Sequence, residues 1–446
     1  MKILVLNGSP AGKNSITLYT VKYIKKHFPN CSFEVLNVGQ SIKKFEKDFE
    51  PCKKALEEAE LILFSYPVYT FLVPAQLHRF IELMKENEVD LKGKAATQIT
   101  TSKHFYDVTA HKFIEENCAD LKMNYIKGLS ADMDDLTSEK GRKEALDCFR
   151  FVQWSFKNKI FEPSPLPKTV EENDLPEVNK PYLKANKSLG KSIVVVSDFD
   201  DTDEYASLRY KIEHFRAIFS YDSTLVNLRD FPFAGGCLGC FHCAADGKCI
   251  YKDGFDSYLR ENIQSAQAIV YAFKIKDHSM GYRFKLFDDR QFCNGHRTVT
   301  MGKPVGYLVD GNLDAEPNLK TLIEARAQVG GNFLSGIALD YEQTERLASV
   351  LGYAVDKDYL PPKDFYGVGG LKIFRDLIYQ MQGLMREDHR FYKEHGFYDF
   401  PQKKKARIVG MYAVGAMMNN EKLKKKAGSK MSEGMVMPYE NVLKKY

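Results

Sequence analysis

Short apolar runs rich in β-branched residues alternate with helical stretches along most of this chain, and that alternation restricts the fold more than any other feature. It begins with KILVLN, passes through a Gly-Ser-Pro turn and enters a helical stretch ending near Lys26. SFEVLNV, LILFSYPVY and KAATQITTS follow as strands, separated by SIKKFEKDFEPCKKALEEAE, helical with an interruption at its proline, and by the helical PAQLHRFIELMKE. The latter places Leu77, Phe80, Ile81 and Met84 at helical spacing. DVTAHKFIEENCADL, NYIKGLSA and SEKGRKEALDCFRFVQWSFKNKI complete five βα units. Strands alternating with helices of this length predict a parallel sheet covered on both faces.

The pattern then stops and restarts. Residues 161–190 hold five prolines and little apolar periodicity, and read as a linker. KSIVVVSDF, a helix through ASLRYKIEHFRAIF, DSTLVNLRDF, AIVYAFKI, KPVGYLVDG, LKTLIEARAQVG and NFLSGIALD repeat the same element order. The expected organisation is therefore α/β, with two tandem doubly wound parallel sheets at 1–160 and 191–355. A mainly helical extension with a basic tail occupies 356–446. Within it, LKIFRDLIYQMQGLM puts Leu371, Phe374, Leu377, Ile378, Met381 and Leu384 on one face, to pack on the second domain or to serve as a lid or oligomer contact. Strand character reappears there only in a short run near Ile408.

Composition excludes several classes. No run reaches about 18 apolar residues, so no transmembrane helix is expected. The N-terminus opens on a strand without the pattern of a secretory signal, and a cytoplasmic location is expected. The formal net charge of +5 is local: Gln402 to Tyr446 carry eleven Lys/Arg against three Glu. No nucleic-acid-binding motif accompanies that tail, which reads as a solvated basic face or a surface for an acidic partner. Of nine cysteines, Cys31, Cys52, Cys118, Cys148 and Cys293 are scattered and expected to pack as small apolar residues.

Two loops in the first half carry chemistry. In LVLNGSPAGKNSITLYT a strand turns directly into a helix, offering Ser9, Asn14, Ser15 and Thr17 beside a helix start. Exposed N–H groups and the helix dipole there suit an anion such as phosphate; neither Gly-Lys-Ser/Thr nor G-x-G-x-x-G is present, and taken alone the turn reads equally as a plain βα turn with an N-cap. In SYPVYTFLVPAQLHRFIEL the third strand ends on Pro67, Val68, Tyr69 and Thr70. That is a rigid, partly aromatic loop where an open α/β sheet binds ligands.

Together these motifs resemble the NAD(P)H-dependent FMN reductase and iron–sulfur flavoprotein families of the flavodoxin-like superfold. The resemblance covers 1–160 well and 190–340 in outline. It implies that Ser9, Asn14, Ser15 and Thr17 hold the FMN phosphate, and that Pro67, Val68, Tyr69 and Thr70 line the flavin ring. A third FMN-contacting segment falls on Thr101, Ser102, Lys103 and His104. His104 has two readings, a flavin or nicotinamide contact and an exposed loop histidine.

In the second half the matching first turn is acidic: Asp198, Asp200, Asp201, Asp203 and Glu204. Carboxylates repel a phosphate, so FMN is not expected there; a solvated turn and a divalent-cation site both remain open. This half instead carries GGCLGCFHCAADGKC, with Cys237, Cys240, Cys243 and Cys249 spaced C-x2-C-x2-C-x5-C. The resemblance implies a [4Fe–4S] cluster on these thiolates. Chemistry alone leaves zinc, a redox disulfide and a relic open as well. The first half thus keeps a flavin site without the cysteines, and the second keeps the cysteines without a flavin site.

The expected function is an FMN-dependent oxidoreductase that passes electrons from NAD(P)H or a reduced carrier through FMN, by way of a cluster, to an acceptor. Its competitor is a non-catalytic flavin electron carrier or redox-responsive partner-binding protein. Donor and acceptor are small molecules or proteins, and a homo-oligomer is compatible with the family. No catalytic triad or paired carboxylates stand out, so no catalytic residue is assigned.

Overall fold

The computed structural model describes residues 1–162, 164–165, 188–240, 242–360, 365–398 and 405–418. Most of the predicted linker and of the basic tail lies outside the described residues. Met1–Phe391 form one compact unit and Tyr392–Tyr446 a second.

The first sheet contains β1 (Lys2–Asn7), β2 (Ser32–Leu36), β3 (Leu61–Pro67), β4 (Ala95–Ser102), β5 (Asn124–Tyr125) and β6 (Leu129–Asp132). Its order is β2-β1-β3-β4-β5, with β6 also on β4, and every pairing is parallel. The predicted single strand NYIKGLSA is split between β5 and β6. At the break Gly128 runs so close to β4 that a Cβ would lie 1.8 Å from the Gln98 carbonyl oxygen. Helices α1 (Ile16–His27), α2 (Val38–Phe45), α3 (Glu50–Glu58), α4 (Ala75–Glu86), α5 (Asp107–Asp120) and α6 (Glu139–Asn158) connect these strands. Pro51, the expected interruption, lies in the first turn of α3, where its missing N–H costs nothing, and the segment forms the two helices α2 and α3.

The second sheet contains β7 (Ser188–Ser197), β8 (Tyr221–Asn227), β9 (Ala268–Lys274), β10 (Pro304–Asp310) and β11 (Phe333–Ala338). Its order, β8-β7-β9-β10-β11, repeats the first, again wholly parallel. Its helices are α7 (Ala206–Ile218), the short α8 (Cys243–Asp246) and α9 (Phe255–Tyr258), α10 (Tyr282–Arg290), α11 (Pro317–Gly330) and α12 (Tyr341–Lys357). After them come α13 (Phe365–Gln380), α14 (Arg386–Glu394) and α15 (Lys405–Met418). The run near Ile408 is thus helical rather than extended. Its Ala and Met residues favour a helix.

Equivalent helices meet: α4 packs on α10, and α5 on α11. The outer face of each sheet has its own core, whereas the inner faces share one. Phe64, Phe80 and Phe113 belong to the same buried cluster as Phe273, Phe284 and Phe287. The chain is therefore a covalent pseudo-dimer of one doubly wound unit.

The correspondence reaches single residues. Tyr69–Leu72 and Lys276–Ser279, 207 positions apart, form the same tight turn with reciprocal backbone hydrogen bonds of 2.8–2.9 Å. Both central residues of each have positive φ: Thr70 and Phe71, then Asp277 and His278. Each turn reaches into the opposite half. Thr70 donates to Asp289 at 2.6 Å, while Lys285 donates to Thr70 Oγ1 at 2.8 Å and to the Tyr69 carbonyl at 2.9 Å. On the other side Asp277 accepts from Lys85 at 2.8 Å, and His278 lies between Glu316 and Asp120, 2.9 Å from each.

His278 joins the halves as a charged group. Burial opposes its protonation, but hydrogen bonds to Asp120 and Glu316 outweigh this and raise its pKa to about 10. A raised pKa stabilises the fold fully below the unfolded value of about 6.5, and that contribution fades as pH climbs through the folded value. Urea unfolding should accordingly show wild type losing stability between about pH 6.5 and 10 that His278→Gln does not lose. Parallel pH profiles for the two proteins would remove this clamp.

Candidate functional site

The carboxyl ends of β1, β3 and β4 converge at the point where strand order reverses, the usual ligand crevice of an open α/β sheet. A cavity of about 550 Å³ opens there, a size suited to a cofactor or small ligand.

From the β1–α1 turn, Ser9, Asn14, Ser15 and Thr17 line it, with Ala11 and Ile16. Ser15 is the N-cap of α1, and its hydroxyl accepts from the Leu18 N–H. That leaves the Ile16 and Thr17 N–H groups, which have no acceptor within the helix, at an electropositive helix start. The Thr17 and Thr101 hydroxyls lie 2.6 Å apart and tie the turn to β4. From the other loops, Pro67, Val68, Tyr69, Thr70, Thr101, Ser102 and Lys103 also line the cavity. Lys103 is held by Asp132 at 2.7 Å and Asp134 at 2.8 Å. His104 does not line it: the ring is exposed and lies 3.1 Å from Asp107 and 3.3 Å from Ser130. This donor set fits a phosphate at the turn and a flat ring against the β3 loop.

The opposite wall comes from the second half. Cys237, Cys240, Cys243 and Cys249 all line the same cavity. They lie in the loop after β8 and around α8, which ends on Gly247 at φ 75°. Contact between the halves is tight here. A Cβ on Gly239, itself at φ 61°, would lie 1.8 Å from the Tyr69 hydroxyl, so only glycine lets the two loops meet. Gln76 on α4 donates to the Cys237 carbonyl at 3.3 Å. All nine cysteines are free. Burial first, then the neighbouring Cys249, pushes the Cys243 thiol up to about 11. Burial also raises Cys237. A metal would have to displace those protons, as thiolate sites normally require.

Arg290 braces this loop from within. Its guanidinium forms two 2.7 Å bonds with Asp253, donates to the Gly235 carbonyl at 2.9 Å, and lies 4.6 Å from the Tyr251 ring centre. The loop is thereby tied on both sides of its cysteines.

Other cavity residues lie outside the cofactor-type loops and the cysteine run. Phe105, Cys293, His296 and Phe374 line the cavity, as do Leu377, Met381 and Met385. The Phe374 ring centre lies 4.1 Å from that of Phe105, in a tilted contact, and 4.7 Å from that of His296, edge to face, so the apolar stripe of α13 borders the site. Of the predicted stripe Ile378 is buried, whereas Met381 and Leu384 fall in the turn beyond the end of α13 at Gln380, and Leu384 is half exposed. Cys293 is buried as expected of the scattered cysteines, yet it joins the cavity wall.

The matching turn of the second half is arranged differently. Asp200 pairs with Arg229 at 3.0 Å, and Arg229 also donates to the Asp198 carbonyl at 2.6 Å. Burial raises Asp198 to about 6.

Fold and site together define a flavodoxin-like α/β protein with a ligand cavity at its first switch point. Residues 1–128 match the family model of NADPH-dependent FMN reductases. An iron-sulfur flavoprotein of Archaeoglobus fulgidus is 25% identical over 174 residues, covering 36% of this chain and 79% of the relative. Among solved structures, a flavoenzyme NAD(P)H:(acceptor) oxidoreductase from Paracoccus denitrificans is 17% identical, covering 35% of this chain and 97% of that one, with a TM-score of 0.29. An FMN-dependent NADH-azoreductase from Bacillus anthracis, in complex with FMN, is 13% identical over 36% of this chain and 99% of that one, with a TM-score of 0.27. No described helix is long and apolar enough to cross a membrane.

Proposed function

We propose that the chain is an FMN-dependent NAD(P)H oxidoreductase whose first half holds the flavin and whose second half holds a [4Fe–4S] cluster on Cys237, Cys240, Cys243 and Cys249. The observation that carries this reading is the single cavity lined by both loop sets, with Tyr69 against Gly239. A bound flavin accepts a hydride and releases electrons singly, and a cluster relays single electrons. The protein's part is positional. The α1 start and Ser9, Asn14, Ser15 and Thr17 take the phosphate. The β3 loop, rigid because its turn is bonded to Lys285, orients the ring. Phe105, Phe374 and Met381 keep that end of the cavity apolar and exclude water.

The test is iron, sulfide and flavin analysis with a visible spectrum on protein purified without oxygen, followed by NAD(P)H oxidation assays. About four iron and four sulfide per chain with one FMN are expected. Asn14→Ala combined with Ser15→Ala should weaken FMN binding without changing the iron content. Zinc or no metal at the cysteines would refute the cluster, and absence of turnover with any acceptor would refute the enzyme.

A further inference from the structure

We propose that His78, Glu82 and Asp277 form a site for one divalent transition-metal ion of the Zn2+ or Mn2+ class, bridging the two halves away from the flavin cavity. His78 and Glu82 are one turn apart on α4, and Asp277 comes from the β9–α10 turn of the other half. His78 Nε2 lies 3.9 Å from Glu82 Oε1 and 3.8 Å from Asp277 Oδ2, and the three ligand atoms all fall within 4.8 Å of one another.

The histidine points to a missing partner. Its side chain is fully buried, and neither ring nitrogen has a hydrogen-bond partner. A buried imidazole without partners is costly, and coordination of Nε2 would satisfy the atom that faces both carboxylates. The carboxylates are already oriented for this. Asp277 Oδ1 is held by Lys85 at 2.8 Å, Glu82 Oε2 by Arg79 at 3.0 Å and Glu82 Oε1 by the Tyr282 N–H at 2.8 Å, while Oδ2 and a second lone pair of Oε1 face the imidazole. Such outer contacts commonly fix metal ligands, although these two cations also temper the affinity. Glu82 and Asp277 side chains are 15% and 12% exposed, which gives an ion a way in.

The internal repeat supplies an independent comparison. Moving each residue to its equivalent in the other half gives Thr70, Lys285 and Asp289. There the Lys285 ammonium sits at the centre, bonded to Asp289, Thr70 and the Tyr69 carbonyl. One copy of the triad thus carries its own cation. The other has a histidine in the lysine position and a second carboxylate in place of the threonine. The other such three-residue group among the described residues, Glu116, His278 and Glu316, differs because both nitrogens of His278 are already bonded to carboxylates.

The test is Mn2+ titration of the full-length, flavin-loaded protein, following free Mn2+ by electron paramagnetic resonance. Manganese is chosen because oxygen and imidazole ligands suit it better than the thiolates of the cysteine loop. One Mn2+ per chain, displaced by Zn2+, is expected. His78→Gln and Asp277→Asn should each weaken binding by roughly 10–100-fold or more. Asp277→Asn carries the test if His78→Gln does not fold. Absence of a bound ion in wild type, or unchanged binding in the folded variants, would overturn the site. FMN content read on the same samples keeps this outcome separate from the flavin assignment.

Discussion

Lys285→Met is expected to lower the unfolding free energy by about 3–5 kcal/mol, the usual cost of removing one member of a buried ion pair. Lys285 and Asp289 are both fully buried, one turn apart on α10. Asp289 also accepts from Thr70 at 2.6 Å and from the Ala75 N–H at 2.8 Å. Without the ammonium, that carboxylate stays in the interface with two neutral donors. Burial already raises the Asp289 pKa, opposed by Lys285. Loss of the lysine raises it further, so the variant should be less impaired at pH 5, where the acid can take a proton, than at pH 8. The double change Lys285→Met with Asp289→Leu should recover much of the loss, because removing both partners strands no charge. The single change should also loosen FMN, since Lys285 holds the Tyr69–Leu72 turn at positive φ. Chemical unfolding at the two pH values measures the first effect. A single variant within about 1 kcal/mol of wild type at both would contradict it.

Arg290→Ala should deprive the cysteine loop of the metal proposed for it while leaving FMN in place. The arginine is 1% exposed and joins Gly235, two residues before Cys237, to Asp253, four residues after Cys249. Its loss strands a nearly buried carboxylate and a carbonyl, again a change of about 3–5 kcal/mol, concentrated on this loop. Arg290→Lys should restore little, because a lysine cannot make the two-pronged contact with Asp253 while also reaching Gly235. Metal-to-flavin ratios of the purified variants read this directly. Equal ratios in wild type and Arg290→Ala would show that the loop organises itself without the brace.

Much of this was legible because local chemistry repeats a known physical pattern. The β1–α1 turn needs a capping serine and small polar residues wherever it occurs, so Ser9, Asn14, Ser15 and Thr17 are visible without a structure. The cysteine spacing is equally local. Arg290 gave no such signal: its role depends on Asp253, which is 37 residues away. Nor did His78, which sits among the apolar residues of an amphipathic helix and reads as core. Of the two readings of His104, the structure matches the exposed loop histidine. It lies in a segment that lines the cavity, but its ring turns toward Asp107 and Ser130.

By itself the sequence determined the two rounds of strand–helix alternation, the phosphate-type turn, the aromatic loop after β3 and the four thiols, since each depends on neighbours within a few residues. Only the tertiary structure decided that the halves share a core through equivalent helices and that the β3 loop of one touches the cysteine loop of the other. It alone also brought the stripe of α13 to the cavity. Those pairings join residues more than 150 positions apart. They follow from shape and charge matching between whole surfaces, which no local periodicity encodes.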